Sequence, residues 1–136
     1  MHLSDVGKLM KFAGLSLCVV MCPGVHGQAE SGMISELLLR QSVEGVPTKE
    51  VIVSKVRIPP NTELPWHWHH GEEVFYVVEG EVSLLQRGKP GMLSKAGESN
   101  AIAPGVIHTG RTGEEGVYLV IFRVHDKGKP ERILVD

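Results

Sequence analysis

The chain has 136 residues, 42% of them hydrophobic and 22% charged, with 14 Lys and Arg against 16 Asp and Glu. One domain with a single core suits that length, and the composition excludes both a disordered acidic tail and a polytopic membrane protein. A formal net charge of −2 leaves no electrostatic footprint for nucleic acid or an anionic membrane, so small molecules are the expected partners.

The first thirty residues differ from the rest. Lys8 and Lys11 precede the uncharged run from Phe12 to Val25, and small residues follow; this is the layout of a secretory signal peptide. Spanning a bilayer takes about 20 apolar residues, more than this 14-residue run supplies. The expectation is a removed signal over residues 1–27 and a mature domain over 28–136, beginning near Gln28 or Glu30, in a periplasmic or secreted protein with no membrane attachment. Asp5 is unusual in such a leader, and reading from Met10 gives a more regular one. Cys18 and Cys22 both lie in the leader, so the mature chain carries no thiol.

From Met33 onward, short apolar runs rich in β-branched residues alternate with Gly, Pro and Asn, the pattern of a sandwich or barrel. Strands are expected over Ile34–Arg40, Glu50–Ile58, Glu73–Glu79, Glu81–Gln86, Gly91–Lys95, Ser99–Ala103, His108–Thr112, Val117–Val124 and Arg132–Val135. The stops between them include Pro59-Pro60-Asn61, Glu79-Gly80-Glu81, Ala96-Gly97-Glu98, Pro104-Gly105 and Arg111-Thr112-Gly113, where Gly supplies positive φ and Pro presets its own. No repeat and no sustained helical period is present.

Of the five histidines after the leader, three fall in Trp66-His67-Trp68-His69-His70. In an extended segment alternate residues share a face, so His67 and His69 project together about 6.5–7 Å apart, close enough for two imidazoles to meet on one ion. The same alternation puts Glu73, Phe75 and Val77 on that face and Glu72 on the other, which favours Glu73 as a ligand; Gly71 is the point where a bulge could reset the parity. A solvated surface strand is the bland alternative for His-x-His taken alone.

The second segment, Gly97-Glu98-Ser99-Asn100-Ala101-Ile102-Ala103-Pro104-Gly105-Val106-Ile107-His108, makes the pattern specific. Together the two stretches resemble the paired motifs of the cupin family. The first motif reads Gly, five residues, His-x-His, three or four residues, Glu, six residues, Gly. His67, His69, Glu73 and Gly80 match it, and Asn61 stands in place of the leading Gly. Gly97, Gly105 and His108 fall in register with the second, whose first Pro is Ala103 here and whose terminal Asn is Thr112.

The resemblance implies an all-β cupin double-stranded β-helix, a jelly-roll barrel, with His67, His69, Glu73 and His108 converging on one divalent transition metal. Three neutral imidazoles and a carboxylate suit Fe, Mn, Ni, Cu or Zn and argue against Ca and Mg, which take all-oxygen shells. Trp66 and Trp68 are expected to face away from the metal, at packing contacts or a homodimer surface. Phe75, Tyr118 and Phe122 are candidates for the barrel lining. His125 reads as a surface residue and His70 as an outer neighbour of the site or solvent-facing. No Lys or Arg is evident on the inner face, and no further acid or base beside the metal.

The function expected on this reading is that of a mononuclear metal-dependent oxygenase or oxidoreductase acting on a small organic molecule. The alternatives are a non-catalytic cupin that binds a small molecule or a metal, and a metal-assisted sugar or keto-acid isomerase.

Overall fold

In the computed structural model, residues 32–136 are described, and the leader with its cleavage point and both cysteines lies outside them. The alternation seen in the sequence becomes eight strands: β1 Ile34–Val43, β2 Val46–Ile58, β3 His67–Trp68, β4 Gly71–Gln86, β5 Met92–Lys95, β6 Ser99–Ile102, β7 His108–Asp126 and β8 Ile133–Leu134. Every pairing is antiparallel, and no helix occurs among the described residues.

Two long strands organise the sheet. β7 pairs with β2, β3 and β4, while β4 also pairs with β5 and β6; β1 continues outward from β2, and β8 from β3. Because β4 and β7 are paired almost end to end and their neighbours attach at different heights, the sheet curls on itself around one core. Val56, Ile58, Leu64, Phe75, Val77, Val82, Leu84, Ile102, Val117, Leu119 and Ile121 fill it.

Two of the expected stops are not turns. Glu79-Gly80-Glu81 lies inside β4, and Arg111-Thr112-Gly113 lies inside β7. Gly80 does take positive φ, at 77°, but the ladder resumes beyond it after a register shift between Gly80 and Val82. One left-handed residue in an otherwise extended segment makes a bulge, which bends a strand without reversing it. A Cβ on Gly80 would sit 2.3 Å from the Gly116 carbonyl oxygen, and Gly116 is itself at φ 71°, so the two glycines let both strands bend at one place.

Asn61, where the family motif has glycine, has φ 51° and is the one non-glycine at positive φ among the described residues. Asn, like Asp, tolerates the left-handed region better than most side-chain-bearing residues, so Asn61 can hold this conformation without a glycine. At another departure, Thr112 Oγ1 donates to Pro59 O at 2.6 Å and accepts from the Thr62 amide at 3.0 Å. Beside it, the buried Thr109 hydroxyl donates to Leu64 O at 2.6 Å. These bonds hold the 59–64 connection against β7 and so set where β3 begins.

Candidate metal centre

His67 and His108 are opposite one another in the β3–β7 ladder. His69 follows where β3 gives way to a bend, and its carbonyl accepts the Gly105 amide at 3.1 Å. Glu73 lies in β4, and all four side chains are buried. The bend does not reset the parity: His67, His69, Gly71, Glu73, Phe75 and Val77 are all buried, and the residues between them are half-buried or exposed.

The three imidazoles each offer a ring nitrogen, all within 4.8 Å of one another. Their rings lie 4.4–5.1 Å apart between centroids. Each Nδ1–H donates to a backbone carbonyl: His67 to Pro65 at 2.7 Å, His108 to Val106 at 2.8 Å and His69 to Glu131. That pattern selects the tautomer whose Nε2 carries a lone pair. Nε2 of His69 and of His108 is buried without a hydrogen-bond partner. Buried, unpaired acceptors are costly, and these two, grouped with a ring nitrogen of His67, can hold a metal ion.

Glu73 adjoins this cluster, with Oε2 3.0 Å from His69 Nε2 and Oε1 4.0 Å from His108 Nε2. With the His69 proton on Nδ1, the 3.0 Å contact brings a lone pair against a carboxylate oxygen, an arrangement that a cation between them would relieve. Arg123 Nε donates to Glu73 Oε2 at 2.7 Å. Burial works against ionisation of Glu73, but the Arg123 guanidinium opposes it, and the carboxyl is held below the usual carboxylate range. Burial also pushes the His67 imidazole down to about 3, against the opposing pull of its bond to Pro65 O, and it lowers His108 for the same reason. Neutral His67 and His108 beside an ionised Glu73 are the protonation states that metal ligation requires of them.

Arg123, Glu131 and the burial of His125 add to the residues expected from the sequence. Residues 117, 119, 121, 123 and 125 form the inner face of β7, the first three being buried Val, Leu and Ile. Arg123 and His125 continue that phase. An inward Arg is therefore present, contrary to expectation, its side chain only 13% exposed. His125 is wholly buried and not on the surface; its Nε2 donates to Pro130 O at 3.1 Å. By the same parity Phe122 faces outward and is 47% exposed, and Tyr118 is half-buried under the Arg57 guanidinium; of the three candidate aromatics, Phe75 alone lines the cavity. Trp66 and Trp68 are half-buried, Trp68 packing edge-on against His70.

Glu131 acts twice. Its carbonyl receives the His69 proton, while its carboxylate accepts from Arg40 and lies 3.5 Å from Arg123. No sequence signal marks the first role, since any residue can present a carbonyl. The centre opens on a cavity of about 390 Å³ whose wall includes Val56, Leu64, Phe75, Leu84, Ile102 and Leu119, with Arg123, Glu131 and Arg132 lining it as well.

Comparison with known proteins agrees with this architecture. Residues 54–122 match the family model described as a cupin domain. No curated protein matches the chain. Among solved structures, the DMSP lyase DddQ from Ruegeria pomeroyi DSS-3 is similar at 22% identity and TM-score 0.64, over 76% of this chain and 51% of that one; this chain thus spans about half its length. A cupin-like protein from Thermotoga maritima MSB8 is similar at 22% identity and TM-score 0.61, over 76% and 75% of the two chains. KdgF from Halomonas sp. is similar at 13% identity and TM-score 0.56, over 73% and 84%. At these identities the likeness is one of fold. With the family model matched over half of the chain, the strands curled into one antiparallel barrel and the three histidines turned inward, this chain belongs to the cupin family.

Proposed function

We propose that this protein is an exported cupin that binds one divalent transition metal, Fe, Mn, Ni, Cu or Zn, through His67, His69, Glu73 and His108, and that it acts as an oxygenase or oxidoreductase on a small organic molecule. The carrying observation is the set of three Nδ1–H to carbonyl bonds, which leaves three imidazole lone pairs facing one point at a largely apolar cavity. An ion held there supplies Lewis acidity and, for Fe, Mn or Cu, one-electron chemistry. The chain's own part is to keep His67 and His108 neutral and Glu73 ionised, to orient Glu73 through Arg123, and to receive an apolar molecule in a wall of Val, Leu, Ile and Phe. Oxygen uptake by the Fe, Mn, Ni and Cu forms, measured against a panel of flavonols, diketones and catechols, tests the reading. Silence across the panel contradicts it.

One observation favours a non-catalytic binder instead. Glu73 and Glu131, the carboxylates lining the cavity, are each committed to a guanidinium, which leaves no free base for proton abstraction; this also weighs against an isomerase. A purified protein that retains a tightly held ligand and turns nothing over would support that alternative.

Export rests on the leader, and amino-terminal sequencing of the mature protein tests it. A homodimer is supported by an outward row of Leu39, Val53, Phe122 and Val74, consecutive cross-strand partners on β1, β2, β7 and β4. Three of the four are at least 39% exposed. Sedimentation at the mass of a single chain would contradict it.

A further inference from the structure

We infer that the ligand of this cavity is a small monocarboxylate with an apolar body, its carboxylate held by the terminal nitrogens of Arg123 beside the metal centre and its body in the barrel. This rests on the metal-binding reading and names the class of molecule that such a site would take.

A guanidinium has five N–H donors. In Arg123, Nε–H is committed to Glu73 Oε2 and Nη1 makes one long 3.5 Å contact with Glu131. Nη2 has no protein partner among the described residues, and Arg123 lines the cavity. Two parallel N–H groups are what a carboxylate takes from an arginine, a geometry neither an ammonium nor a hydroxyl reproduces. The charges agree. Arg123 and Arg132 balance Glu73 and Glu131 on the cavity wall, so a divalent ion at the histidines leaves the site positive and favours an anion over a neutral molecule.

The wall away from these charges sets the rest of the ligand. Val56, Leu64, Phe75, Leu84, Ile102 and Leu119 present only hydrocarbon, and a polar group buried among them would lose its hydrogen bonds to water without replacement. A volume of about 390 Å³ is near the lower end of ligand cavities, which run from about 300 to 1,000 Å³. The ligand is therefore short, with one charged end.

Calorimetric titration of the zinc-loaded protein with the straight-chain acids from acetate to octanoate, and with the primary amide of each, tests the inference. The acids should bind about fourfold tighter per added CH₂ until the cavity is full, and each acid should exceed its amide by about tenfold or more. Zinc-loaded Arg123→Gln should keep the dependence on chain length and lose the acid–amide difference. Arg123→Lys, which keeps charge without the fork, should retain part of it and carries the test if Arg123→Gln does not fold. Equal binding of acid and amide, no binding by any acid, affinity independent of chain length, or discrimination that survives in Arg123→Gln would each overturn the inference. Zinc content is measured on every sample. A wild type that takes up no zinc contradicts the proposed metal centre, whereas the acid–amide difference should persist, reduced, in metal-free protein.

Discussion

Glu73 and Arg123 are cross-strand partners on β4 and β7, and Arg123 Nε donates to Glu73 Oε2 at 2.7 Å, so one ladder position sets both a carboxylate beside three imidazoles and the cation that orients it. Outer partners of metal ligands contribute about 10–100-fold in affinity when they hold a ligand in place. Arg123→Gln should accordingly weaken zinc binding by about that factor in a competition assay against a chelator, without changing the stoichiometry at saturation. Unchanged affinity would mean that Glu73 needs no positioning.

The buried imidazoles predict an acid-sensitive fold. His67 has its proton affinity lowered from 6.5 to about 3 in the folded chain, and His108 is lowered too. A group whose folded value lies below its unfolded one binds more protons when the chain unfolds, so stability falls as pH falls. For His67 the loss begins near pH 6.5, continues toward pH 3, and amounts to about 1.4 kcal/mol per pH unit while the difference is fully developed. Glu73, also lowered, adds to the loss below its ordinary 4.5. Urea midpoints of metal-free protein between pH 7 and pH 4 should decline steadily, and His67→Gln should flatten that decline. A flat wild-type profile would refute the assignment of neutral, buried imidazoles.

Gly71 opens β4 two residues before Glu73, opposite His125. A Cβ there would lie 2.1 Å from Val124 O and 2.7 Å from His125 Cα, both backbone atoms that cannot move aside without opening the ladder. Gly71→Ala should cost about 2–4 kcal/mol and weaken metal binding by displacing Glu73. Gly88→Ala is the control for a surface turn, since a Cβ there meets nothing within 4 Å and carries only the penalty of φ 76°. Thermal denaturation of both variants checks the ordering, and equal losses would contradict the close-approach argument.

Much of this site could be read from residue spacing because strand alternation has a period of two. His67, His69 and Glu73 share a face by that rule, and the parity held through the bend at His69 and His70 because Gly71 let β4 pack directly on β7. His108 is distant in sequence, and the second motif, not periodicity, pointed to it. Alternation along β7 also pointed inward for Arg123 and His125, but a charged residue ordinarily reads as solvent-facing, and the partners that make burial tolerable, Glu73 and the Pro130 carbonyl, come from other segments. Gly80 could not be resolved in advance, since a glycine at positive φ serves a turn or a bulge equally well, and the continued pairing of Val82 with Thr112 decides between them.

The most direct test of the account is metal stoichiometry by elemental analysis, on wild type and on His69→Ala and His108→Ala. The wild type should carry one transition-metal ion per chain, and both variants should carry none while keeping a β-sheet circular dichroism spectrum, because the core around Phe75, Val77 and Leu119 does not depend on the ion. Undiminished metal in both variants would contradict the account.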